Sequence, residues 1–479
     1  MNWKLPSWLT IKIKPLLRRR PKQPQPPWLR RLNRFIALLI GLALVLFVVW
    51  RVLLYREIEQ RFAAIRAAGL PASGQELNAW QTQVPEAENG ALVLTQAFAL
   101  CRTFPDSRSN LVVEPELLKR TNQWSAETRE LISTYVLTNT AALAKAREAM
   151  QFQHFRFAAD FSYGPETELP HLGELKRISR LIALQAALSA ETGSPNEWPD
   201  QTIVLLRLAA TIDEEPSLIS HLVHNSMVRE AAGVVERCLN QTVLPGDEAY
   251  QRLQAAFLHL GETNRLAHAL IGERAMLVPA FRFSWSEFKN ISRDDATGGN
   301  PRPPQKYLGK PMFALWLTGV LERDLNYFLR KMDQGISLAQ LSPPGFLAMT
   351  NQLQYAGEVA HTNFYFLSAM VLPAFASGAR REAATQAQIE LAATGLAVVR
   401  FHTALEKWPG SLNELVPQFL NAVPADPFNG QPLHFRPLEN GGIIYSVGAD
   451  GKDDGGREPP SPHKSTDTNS YDLTFTIQR

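Results

Sequence analysis

Cysteine is nearly absent from this 479-residue chain: Cys101 and Cys238 stand alone, with no CxxC pair. A disulfide-stapled scaffold and a thiolate zinc centre are thereby excluded. The two thiols are left either to pair in an oxidising compartment or to serve as small buried hydrophobes. Equally missing are the glycine patterns that cradle phosphates or dinucleotides, the GxSxG nucleophile elbow and the HExxH zinc motif; Gly309 and Lys310 lack the upstream glycine of a phosphate loop. No acid occurs among the first 34 positions, which carry ten Lys or Arg and six Pro. The whole chain has 49 basic and 46 acidic residues; without that tail the count is 39 against 46, so the net +3 becomes −7 over residues 35–479. An acidic body argues against nucleic acid as a partner, and the basic, proline-broken tail reads as an extended segment suited to anionic lipid.

What the chain does have is a long apolar run, residues 35–55, FIALLIGLALVLFVVWRVLLY, in which Arg51 is the only charge. At ~1.5 Å per residue a helix of this length is about 31 Å long, matching a hydrocarbon core of roughly 30 Å. A buried helix of a soluble domain would show a polar face, and none exists before Arg51, which sits near the end and can snorkel to the headgroups. The run is too long for a cleaved signal peptide and no small-x-small site follows it. With the positive charge concentrated ahead of the span, the positive-inside rule predicts a single pass through the inner membrane. The basic tail, residues 1–34, is then cytoplasmic, residues 35–55 form the transmembrane helix, and residues 56–479 are exported to the periplasm.

Residues 56–85 read as a stalk, a charged helix broken by Gly69, Pro71 and Gly74. Residues 86–292 read as helix after helix. In HLGELKRISRLIALQAALSAETG, Leu175, Ile178 and Ile182 form one apolar stripe and Leu181, Leu184 and Leu188 a second. Ile203, Leu206 and Ala210 beside Leu205, Leu208 and Ile212 repeat the arrangement, and Val228, Ala232, Val235 and Leu239 follow at the same kind of spacing. Helices with two stripes must be covered on two sides, which predicts a mainly α fold of stacked, repeat-like helical hairpins without a fixed repeat period. Residues 293–312 are a loop by composition, and residues 313–384 continue the helical pattern. Within them FYFLSAMVLPAF, residues 364–375, is too short to span a bilayer and reads as core or as a face for a partner.

Residues 385–479 read as a small α+β module. A helix from Thr385 buries Ile389, Ala392, Leu396 and Val399 and stops at Pro409 and Gly410, and Ser411 with Glu414 has capping-box spacing. Strands are predicted at 433–436 and 443–447, joined through the ENGG turn, with a third at 471–477. The ordered pieces WPGSLNELV, PADPFNGQPLHF, IIYSVGADGKDDGG and YDLTF resemble the globular end of type II secretion major pseudopilins. That resemblance implies a long helix, a small antiparallel sheet and an Asp-Gly-rich loop that binds Ca²⁺. Carried onto this sequence, the ligands are Asp450, Asp453, Asp454 and Asp472, hard oxygens suited to calcium. Two departures separate the chain from a filament subunit: residues 457–468 are a longer insertion, and the processing site and fifth-position acid of the family are missing, with Arg34 before Phe35 and Leu39 at the fifth place. The middle of the chain is similar to uncharacterised bacterial single-pass membrane proteins, which implies an envelope location.

Histidine supplies the remaining chemistry. His221 and His224, His259 and Glu262, and His268 and Glu273 fall near metal-ligand spacing on helices, although isolated pairs of this kind more often serve structure. The acid pair Asp213 and Glu214 reads as helix-end solvation. The sequence therefore favours a membrane-anchored envelope scaffold that offers a groove to a peptide, a partner protein or a cell-wall polymer. The alternative is an envelope hydrolase using acids or histidines of the helical domain, which requires His221, His224, His259 and Glu262 to converge.

Overall fold

A computed structural model describes residues 26–103, 114–192, 194, 196–243, 246–261, 265–282, 318–458 and 471–479. The expected loop at 293–312, Glu262, most of the 457–468 insertion and nearly all of the basic tail lie outside the described residues. Two compact units are present, Met1–Glu57 and Ile58–Arg479.

In the first unit the described residues belong to helix α1 (Pro27–Ala67), whose segment at 35–49 exposes its apolar side chains. Among the described residues, α1 is the one helix long and apolar enough to cross a membrane. Its end is set by glycine. Gly69, with φ +72°, lets its own amide donate to the Arg66 carbonyl (2.9 Å) and the Leu70 amide reach back to Ile65 (3.1 Å), a Schellman arrangement that Pro71 then terminates.

The second unit is mainly helical. Its described helices are α2 (Gly74–Trp80), α3 (Gly90–Leu100), α4 (Ala126–Thr138), α5 (Thr140–Ala149), α6 (Pro170–Glu191), α7 (Trp198–Ala210), α8 (Leu218–Gln241), α9 (Glu248–Gly261), α10 (Arg265–Phe281), α11 (Val320–Ala339), α12 (Ala348–Thr362) and α13 (Phe366–Leu405). Side chains read from the sequence as stripes are interior: Leu175, Ile178, Leu181, Ile182 and Leu184 of α6 and Val228, Ala232, Val235 and Leu239 of α8 are all buried. Helix α6 packs on both α7 and α8, which covers its two stripes from two sides. At about 1.5–3 kcal/mol for each large aliphatic side chain, this burial is the main force stacking these helices.

Polar groups fix the ends. Ser73, Ser125 and Ser217 cap α2, α4 and α8, each accepting a hydrogen bond from an amide of the first turn. Close approach needs glycine at Gly272 of α10, where a Cβ would stand 1.8 Å from the Pro216 carbonyl oxygen.

Helix α13 is the axis of the unit. It runs 40 residues through Pro373 and straight across position 384/385, where the sequence suggested a domain boundary. The physical reason is that its C-terminal half belongs to both neighbours at once. From Leu391 to Phe401 every residue is buried, between α8 and α9 on one side and the sheet on another. Arg400 locks this helix to α9 by a two-pronged bond to Asp247 (2.6 and 2.9 Å) and a third to Gln254. The sheet is antiparallel in the order β1 (His434–Leu438), β2 (Gly441–Ser446), β3 (Leu473–Gln478), with Ile444 opposite both Phe435 and Phe475. Before it, the Ser411/Glu414 capping box opens a single 3₁₀ turn, Leu412–Leu415.

Candidate functional site

Asp450, Asp453 and Asp454 share one loop and Asp472 lies against it beside β3, but the four do different work. Asp450 and Asp453 are exposed and accept from the amides of Lys452 (3.1 Å) and Gly455 (2.8 Å), ordinary two-residue turns. Asp454 is exposed too. Asp472, 2% exposed at the edge of β3, uses Oδ2 to accept from the amides of Gly456 (2.7 Å) and Asp454 (3.1 Å), while its buried Oδ1 has no partner. Burial first, and then the charges of Asp453 and Asp454, push its carboxyl above the usual range against those two amides. Among the described residues no three His, Cys, Asp or Glu side chains are arranged to hold a metal.

The histidines are drawn into separate structural pairs. His221 lies 3.0 Å from Glu382 of α13, and Asn225 and Gln386 also donate to that carboxylate. Burial alone would raise Glu382, but the His221 ring and these donors hold it down at about 2. His224 sits between the Ala209 carbonyl (2.9 Å) and Asp213 (2.8 Å), which also meets Arg265 (2.8 Å). Asp213 is thus an anchor for two cation-forming side chains, where the sequence suggested a solvated helix end. His268 stacks on Trp80 with ring centres 4.7 Å apart, and Glu273 accepts from the Leu218 amide (2.8 Å) at the start of α8. His259 lines a different hollow beside Phe152 and Arg207. A further pair that sequence spacing did not suggest is His171 with Glu215 (2.8 Å), its ring stacked on Phe157. Cys238 is likewise interior, its thiol pushed up by burial, and both cysteines are free.

A cleft of about 720 Å³ opens between α6 and α8. Its floor is apolar, made by Leu118, Tyr135 and Met227. Gly173 of α6 and Gly233 of α8 line it beside open space, since a Cβ at either position would touch nothing within 4 Å. Cations dominate the walls: Lys119, Lys176, Arg177, Arg180 and Arg229 against Glu230 and Glu236. Glu230 already accepts from Ser179 and Arg180, and Glu236 accepts from the Thr476 amide (2.7 Å). Burial pushes Glu236 up to about 7 despite Arg120 and that amide. The sequence carries the pattern for this cleft. Gly173, Lys176, Arg177 and Arg180 recur at i, i+3, i+4, i+7, and so do Ser226, Arg229, Glu230 and Gly233. A stripe of small and charged residues reads as solvent-facing until two such stripes face each other.

No protein-family model, curated protein or solved structure matches this chain.

Proposed function

We propose that this protein is a membrane-anchored interaction protein whose helical body receives a protein or peptide partner in the α6–α8 cleft. The observation that carries the reading is the cleft itself: a volume within the range of ligand sites, an apolar floor, polar walls and two glycines in its lining that border open space. The apolar segment of α1, exposed along its length, supports the anchor, and the acid-free basic flank before it supports a cytoplasmic N-terminus with the body in the periplasm. His171, His221, His224 and His268 support the scaffold over a hydrolase, because each is engaged with a different partner. The succession of long helix, capped turn and three-stranded antiparallel sheet supports the pseudopilin-like reading of residues 385–479 and offers a second contact surface linked to secretion or envelope assembly.

The test is a photo-crosslinking side chain placed at Gly233 and, as a control, at Ile219, which is 60% exposed on the same helix. Partner binding through the cleft predicts a discrete adduct from position 233 in membrane fractions and none from position 219. Equal labelling from both positions, or recovery of the chain in the soluble fraction, would overturn the proposal.

A further inference from the structure

The cleft also specifies the kind of partner it suits, an inference that rests on the reading of the cleft as a binding site. Among the described residues, Lys176 on α6 and Arg229 on α8 have neither a hydrogen bond nor an ion pair, whereas Arg177, Arg180 and Lys119 each have a carboxylate. Arg381 of α13 adds a third cation close enough to depress Arg229, after the desolvation of Arg229 itself. Lys176 and Arg229 thus present like charges from two helices on the walls of one cleft, whose carboxylates are already engaged, Glu230 by Ser179 and Arg180 and Glu236 by Arg120 and the Thr476 amide. This happens in a body that is acidic overall, so general basicity does not account for it. Like charges gathered in a partly desolvated cleft repel, and an anion entering it relieves the repulsion and is steered there by the local field.

The space selects among anions. An inorganic phosphate would fill only a small part of about 720 Å³ and would leave the apolar floor bare. A peptide in extended form presents alternate side chains to one face, so carboxylates two residues apart can meet cations on both walls while neighbouring apolar groups cover the floor. We propose that the α6–α8 cleft binds an acidic peptide segment, its carboxylates set against Lys176 and Arg229 and an apolar side chain lowered onto Leu118, Tyr135 and Met227.

The experiment uses the full chain in detergent micelles and fluorescence polarisation of a labelled octapeptide of alternating Glu and Leu, with the Gln–Leu peptide as control. Expected is binding of the Glu–Leu peptide that weakens with salt and falls by about tenfold or more in the Lys176→Glu/Arg229→Glu variant. A smaller loss is expected for Lys176→Gln/Arg229→Gln, which removes both charges at exposed positions with little change of size, so its thermal midpoint should not fall. Equal binding of both peptides, or indifference to both charge variants, would overturn the proposal. So would competition by inorganic phosphate or phosphatidylglycerol vesicles with no binding of the Glu–Leu peptide. A crosslink from position 233 with no acidic-peptide binding rejects the ligand class and leaves the partner reading standing; loss of both rejects the cleft as a site.

Discussion

The ring of Phe475 lies against the backbone of Gly395 so closely that a Cβ on that glycine would stand 2.4 Å from Cε1. This contact joins β3 to the C-terminal half of α13, and both partners are interior. Gly395→Ala would gain helix propensity but must displace a ring that has no free space, and overpacking of this kind costs about 1–3 kcal/mol. A lowered urea midpoint is therefore expected, with partial recovery when Phe475→Leu is added. Additive losses in the double variant would show that the two residues do not act on each other.

Arg237 is completely buried on α8 and holds the segment 117–122 in place. Its Nη1 donates to the carbonyls of Leu117 (3.2 Å), Lys119 (2.8 Å) and Asn122 (2.6 Å), its Nη2 meets Glu191, and its plane covers the Trp124 ring at 4.4 Å. Arg237→Ala strips these carbonyls and leaves Glu191 without its buried partner, a change expected to cost about 3–5 kcal/mol in equilibrium unfolding. Arg237→Lys should recover less than half of the loss, because one ammonium cannot span the fork.

Two buried glutamates give stability opposite dependences on pH. Glu382, held at about 2 against an ordinary 4.5, contributes stability in full above pH 4.5, and that contribution is lost as pH falls through 2. Glu236, pushed up to about 7, keeps its proton in the folded chain after the unfolded chain has released it, so stability falls as pH rises from 4.5 to 7. Each effect is on the order of 1–3 kcal/mol. Thermal midpoints between pH 2 and 8 should show Glu382→Gln flattening the acid limb and Glu236→Gln flattening the decline toward neutrality; an unchanged profile in either variant would reject that assignment.

Much of the fold was legible because hydrophobic period is local. The two-stripe helices, the apolar run of α1, the glycine-proline end after it, the capping box and the three strands all follow from spacing within a few turns. The continuity of α13 was not, because Pro373 and the change of neighbours near Thr385 look like a break when the helix is read alone; Gly357 of α12 makes room for the proline ring, and only contact shows it. The His221–Glu382 pair and the buried Arg237 were hidden for the same reason, since their partners lie far along the chain. The cleft was half visible: each stripe of small and charged residues could be counted, but nothing within α6 or α8 says that the two face each other.

The aspartate loop offers the sharpest remaining test, because one oxygen in it is at odds with its surroundings. Buried polar atoms are almost always paired, and Asp472 Oδ1 has no partner while Asp453 and Asp454 add negative charge beside it. A divalent cation would resolve both the unsatisfied oxygen and the repulsion, with loop carbonyls as further ligands, although the four aspartates are not gathered into a ligand set among the described residues. If calcium binds, adding it should raise the thermal midpoint in proportion to the logarithm of its concentration above Kd, magnesium should do so less, and a chelator should reverse the gain. Asp472→Asn should abolish the response while keeping one acceptor for the Gly456 amide. The competing outcome is a proton in place of the cation: the midpoint is then blind to calcium and rises on acidification toward pH 4, and the Asp472→Asn variant, neutral at every pH, loses that rise.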